Sequence, residues 1–168
     1  MKYKTLEDFN LKNKRVLLRL DLNTELINGK VQFSERMNAH LQTLNELKSK
    51  GAKTVIIAHQ SRPGEKDFTS LKQHAQLLSK AMARGVERSE THINSEPVTF
   101  GVVSRRRQIL SETTSASNSR ANKVKYNKVK FVPDILGKKA IKAILSLKPG
   151  ETLLLENIRS LKEEFSSK

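Results

Sequence analysis

The sequence predicts an α/β fold, a parallel sheet flanked by helices, and three observations carry that prediction. Apolar runs within Arg15–Leu20, Thr54–Ala58 and Thr152–Leu155 are continuous rather than alternating, the pattern of strands buried on both faces. Stretches with helical spacing lie between them. Each run also ends in polar chemistry: Asp21-Leu22-Asn23 after the first, His59-Gln60-Ser61-Arg62 after the second, Glu156-Asn157-Ile158-Arg159 after the third. In open α/β sheets ligands bind beyond the carboxyl ends of the strands. Asp, Asn, His and Arg gathered there suit a small, hydroxylated anion.

The elements follow in order. After the first strand, Asn28-Gly29 favours a tight reversal. A helix begins near Ser34, a good N-cap, with Met37, Leu41, Leu44 and Leu47 as its apolar stripe, and Gly51 closes it in the position of a left-handed cap. The second strand and the loop His59–Gly64 come next. A second helix starts near Thr69 or Ser70 with Leu71, Ala75, Leu78 and Met82 on one face. Val129–Val132 reads as a short strand, Ile141, Ile144 and Leu145 mark a third helix, and Pro149-Gly150 stops it before the last strand. The order β-α-β-α-β-α-β implies right-handed crossovers and a partial Rossmann-like, three-layer arrangement.

Residues 84–122 break this rhythm. They are dense in Ser and Thr, include Arg105-Arg106-Arg107, and show no sustained apolar period. Structureless loops beyond about 12–15 residues are uncommon inside a compact domain. The expected organisation is therefore one domain in two parts, 1–83 and 123–168, interrupted by an insertion of low order at 84–122.

Composition excludes several function classes. The absence of cysteine removes disulfides, thiolate metal sites and a Cys nucleophile. No apolar stretch approaches a membrane span, and Met1-Lys2-Tyr3-Lys4-Thr5 lacks the apolar core of a signal peptide, so a soluble, cytoplasmic protein is expected. The net charge of +15 comes from scattered Lys, and aromatics are only 5% of the chain. Without aromatics to stack bases, no specific nucleic-acid partner is expected.

With the strand ends placed, the chain resembles the N-terminal domain of phosphoglycerate kinase, especially its archaeal branch. The resemblance rests on blocks in family order: Val16–Asn23 (VLLRLDLN), Gly29–Arg36 (GKVQFSER), Gly51–Gly64 (GAKTVIIAHQSRPG), Phe68–Leu78 (FTSLKQHAQLL), Val129–Asp134 (VKFVPD) and Leu147–Arg159 (LKPGETLLLENIR). It implies phosphoryl transfer between 1,3-bisphosphoglycerate and ADP, with 3-phosphoglycerate as the substrate met by this domain. By the same resemblance Asp21 and Asn23 bind its hydroxyl and carboxylate region, and His59 and Arg62 bind the substrate. Arg159 helps hold its distant phosphate, and Arg36 neutralises charge on the transferring phosphoryl group. The residue types fit: an Arg fork matches carboxylate and phosphate oxygens bidentately. Phosphoryl transfer needs positioning and electrostatic stabilisation, not a protein nucleophile.

The sequence departs from the family at Glu25, where Pro is usual, at Ser61, where Gly is usual, and at Ser160, where an aromatic is common. If φ is positive at Ser61, the cost is of order 1 kcal/mol. The resemblance covers residues 5–82 and 128–165. Mg-ATP or Mg-ADP is the family's cofactor, but the sequence has no Gly-rich phosphate loop, so no nucleotide or metal site is expected within it. The expectation is an incomplete kinase, a fragment inactive alone that holds part of the 3-phosphoglycerate site. The other readings are a non-enzymatic binding module, paired with a separate nucleotide-binding chain, and the product of a disrupted gene. The missing strands are expected to leave a sheet edge and apolar surface open.

Overall fold

The structure, a computed structural model, describes residues 3–90 and 128–165; the segment 91–122, the bulk of the expected insertion, lies outside the described residues. The elements run β1 (Arg15–Asp21), β2 (Leu26–Ile27), β3 (Lys30–Val31), α1 (Glu35–Ser49), β4 (Lys53–His59), α2 (Lys72–Glu90), β5 (Val129–Phe131), α3 (Lys138–Leu145) and β6 (Thr152–Leu154). Four strands form a parallel sheet in the order β1-β4-β6-β5. From β1 to β4 to β5 the chain moves one way across the sheet, then turns back to β6. Crossovers of one hand must place the returning helix on the opposite face. Accordingly α1 and α2 cover one face, where Met37, Leu44, Leu71 and Leu78 pack on Leu20, Ile56 and Leu154. On the other face Ala140 of α3 and Leu147 pack on Val55, Leu153 and Leu155.

Local chemistry sets the boundaries. Ser34 Oγ accepts from the Met37 N–H at 3.4 Å and starts α1. Gly51, at φ +67°, ends the turn after that helix. Asn28 and Gly29 take φ +51° and +71°, the pair of left-handed residues that a two-residue β2–β3 hairpin requires. The start of α2 is capped from a distance, because Glu156 beyond β6 accepts the Leu71 N–H at 2.9 Å and the Ser70 hydroxyl at 2.8 Å.

One expectation is corrected: β1 is not buried on both faces. It is the sheet edge, and Leu17 is 67% exposed. Leu17 pairs in register with Val55, on the α3 side of the sheet, yet α3 is a short helix, and among the described residues the β1 half of that face is uncovered. The Arg15 guanidinium reaches from this strand to the carbonyls of Ile144 and Leu145, at 3.3 Å each, and ends the helix with a cation. Replacing Leu17 with Thr is expected to change stability by no more than about 0.5 kcal/mol while reducing concentration-dependent self-association, read by light scattering.

The third helix is present as α3, with Ile141 and Leu145 facing solvent, Ala140 buried, and Ala143 and Ile144 half-buried against the sheet. Asp134 fixes this rotation. Its carboxylate accepts the N–H groups of Ala140, Gly137 and Ile135 at 2.8–3.0 Å, bonds that also hold its pKa below the usual carboxylate value. A Cβ at Gly137 would sit 2.6 Å from that carboxylate, so only Gly fits there.

Candidate functional site at the strand ends

The loops after β1 and β4 meet beyond the sheet. Asp21 closes β1; its Oδ1 accepts the Asn23 N–H at 3.1 Å, folding the chain back on itself. Its Oδ2 receives Arg36 Nη1 at 2.9 Å, so the first turn of α1 is tied to the end of β1. Asn23 in turn reaches across, and its Oδ1 accepts the Ser61 N–H at 3.0 Å. These contacts border a cleft of about 560 Å³ lined by Asn23, Arg36 and Ser61 together with Glu25, Glu35 and Asp67. The three carboxylates make the cleft polar and leave Arg36 as the cation in its wall.

Ser61 adopts φ +51°. A side chain there is strained by about 1–2 kcal/mol relative to glycine, part of which glycine returns as unfolded-state freedom. Ser61→Gly is therefore expected to stabilise the fold by about 0.5–1 kcal/mol, measured as a shift in the urea midpoint.

A second group lies one strand over. His59 pairs in register with Asp21. Burial, then the charges of Arg159 and Arg19, push its pKa below the ordinary 6.5, with Asp21 opposing. Its Nδ1 is buried without a hydrogen-bond partner. Arg159 stands in the turn Ile158–Ser160 that follows β6, where its N–H donates to Asn157 Oδ1 at 3.2 Å. Arg19 Nη2 lies 3.8 Å from Glu164.

Of the residues read from the sequence, Asn23 and Arg36 line the cleft, Asp21 is bonded to Arg36 at its border, and His59 and Arg159 belong to the second group one strand over. Arg62 is on the exposed turn before Gly64, with its N–H bonded to Glu65 at 2.9 Å, and is not among the residues lining the cleft. Arg19, which the sequence analysis did not single out, joins the His59 group, and its place two residues before Asp21 on the same strand face is the signal that could have found it. Among the described residues no three His, Cys, Asp or Glu side chains are grouped to hold a metal ion. The left-handed glycines Gly29, Gly51, Gly64 and Gly150 stand singly in separate turns.

Comparison with known proteins adds the lineage. The family model for phosphoglycerate kinase matches residues 6–102 and 103–168. The chain is 35% identical over 160 residues to the phosphoglycerate kinase of Methanopyrus kandleri and 34% identical over 163 residues to that of Methanobacterium bryantii. These matches cover 95% and 96% of this chain but 29% of each relative. The crystal structure of phosphoglycerate kinase from Pyrococcus horikoshii OT3 is similar with a TM-score of 0.68 and 31% identity, over 97% of this chain and 30% of that one. The phosphoglycerate kinase of Coxiella burnetii gives 0.57 and 25% over 96% and 29%. The chain thus spans less than a third of the length of these relatives.

Proposed function

As the chain belongs to the phosphoglycerate kinase family, we propose that its strand-end site binds 3-phosphoglycerate and forms the acceptor half of a phosphoryl-transfer centre. The observation that supports this best is Arg36, held at the cleft by Asp21 at 2.9 Å while the rest of its fork stays exposed. In this reading Asn23 and Asp21 meet the glycerate hydroxyl and carboxylate. Arg62 and Arg159 hold the distant charges, and Arg36 stabilises the phosphoryl group as it moves. His59, in register with Asp21 at the end of β4, offers a buried Nδ1 that has no hydrogen-bond partner.

Phosphoryl transfer asks the protein for fixed charge and geometry, and these residues supply both on the acceptor side. The nucleotide side would come from other polypeptide, with a separate nucleotide-binding chain as the fitting partner. Glu25 opposes a trianion, so weak affinity is part of the proposal. Calorimetric titration at low ionic strength tests it. Saturable binding of 3-phosphoglycerate that weakens with salt, together with no turnover of Mg-ATP in a coupled assay, is the expected result. Equal heats for 3-phosphoglycerate and glycerate would count against it.

A further inference from the structure

We propose that Gln60 is a positioning residue, a buried amide that holds the loops after β1 and β4 in the arrangement the ligand site needs, with Asn157 locking its backbone. The inference rests on the 3-phosphoglycerate reading of that site. Gln60 is 0% exposed and Asn157 1%, in the layer beneath the cleft. Gln60 Oε1 accepts the Thr24 N–H at 3.0 Å, and Nε2 donates to the Thr24 carbonyl at 2.7 Å and the Asp67 carbonyl at 3.2 Å. Because Oε1 is fixed as an acceptor by the Thr24 N–H, the 3.2 Å contact from His74 Nε2 must be a donated bond. His74 is therefore the Nε2–H tautomer. The amide then makes four bonds and has no capacity left.

Asn157 repeats the pattern. Its Oδ1 accepts the N–H groups of Gln60 and Arg159 at 3.3 and 3.2 Å. Its Nδ2 donates to the carbonyls of Gln60 and Thr69 at 2.8 and 3.1 Å. Each anchor point is close in sequence to a site residue. Thr24 follows Asn23, Gln60 lies between His59 and Ser61, and Asn157 is two residues from Arg159. The amides thus hold main chain from four separate segments at fixed spacing, and the Asn23–Ser61 bridge is formed between two of them. A leucine would fill the same volume without fixing any of these directions; a fully satisfied polar network specifies one arrangement.

The test uses the full chain as wild type, Gln60→Leu and Gln60→Glu, with 3-phosphoglycerate calorimetry and amide hydrogen exchange. Leu keeps the volume and removes all four bonds. Glu keeps the acceptor and loses the donor, and serves if the Leu variant does not fold. Leu153→Ala, in the core on the opposite face, is the control for general loss of stability. The expected result is a Kd raised about tenfold in the Gln60 variants, with faster exchange at the Thr24 and Ser61 amides. Leu153→Ala lowers Tm but leaves both readouts unchanged. A Kd within about twofold of wild type, or equal effects from Leu153→Ala, overturns the proposal. If the wild type itself takes up no 3-phosphoglycerate, the ligand reading fails, and the clamp is judged on the two amides in the free protein. Unchanged protection in the Gln60 variants then overturns it, and faster exchange supports it.

Discussion

Urea unfolding is expected to show a stability that falls by about 3 kcal/mol between pH 6.5 and pH 4, owing to His74, whose pKa is lowered from 6.5 to about 4. The cause is burial: the ring is 0% exposed within the main core and donates from Nε2 to Gln60. The Leu22 carbonyl and the Glu156 carboxylate favour the charged ring and reduce the shift without reversing it. Nδ1 makes no hydrogen bond of good geometry. The sign follows from linkage. Between the two pKa values the unfolded chain binds a proton that the folded chain refuses, so the contribution is complete above pH 6.5 and is lost as pH falls toward 4. A loss of that size is a substantial part of the usual 5–15 kcal/mol of a domain. His74→Leu is expected to be less stable than wild type at pH 7 but to lack this slope, so the two curves converge in acid. Parallel curves would show that His74 does not carry the effect.

Replacing Arg36 with Met is expected to separate binding from stability. The Asp21–Arg36 pair is half-exposed on both sides, with side chains 50% and 63% accessible, and pairs of that kind contribute no more than about 1 kcal/mol to folding. A hydrogen-bonded charge facing an anionic ligand is worth about 1.5–3 kcal/mol. The variant is therefore expected to unfold near the wild-type urea midpoint while its affinity for 3-phosphoglycerate drops roughly tenfold to a hundredfold. Asp21 would lose its counter-charge and stand as one more carboxylate beside the anion, which adds to the loss. Unchanged affinity would remove Arg36 from the site.

How legible this was in the sequence depended on whether the signal was local. The Asn28-Gly29 turn, the Ser34 cap and the Gly51 termination each rest on the backbone preference of one or two residues, and all three stand where the sequence put them. Three of the four sheet strands were visible as continuous apolar runs, and the fourth as the short stretch Val129–Val132. What an apolar run could not reveal was strand position: β1 has the composition of an inner strand, and only the sheet order shows that, among the described residues, Leu17 has no helix above it. The outward turn of Ile141 and Leu145 escaped for a similar reason, since the helix rotation is set by Asp134 and by the small Ala140.

The residues proposed for the site were legible in the sequence, but their support was not. Asp21, Asn23 and Arg36 stand out because their chemistry is unusual after a strand. Gln60 and Asn157 do not, because an amide side chain reads as surface until the fold closes over it. His74 had a signal, standing three residues after Leu71 and four before Leu78, on the buried stripe of α2. Helical spacing placed it in the core, and a polar residue there needs a partner.

The most direct test of the central claim is a ¹H–¹⁵N correlation spectrum of the full chain titrated with 3-phosphoglycerate. The account predicts dispersed peaks and saturable shifts concentrated at Asp21, Asn23, Arg36, His59, Ser61 and Arg62, with β5 and α3 unmoved. A titration that leaves those amides unmoved, or shifts that follow exposed lysines over the whole surface, would contradict it.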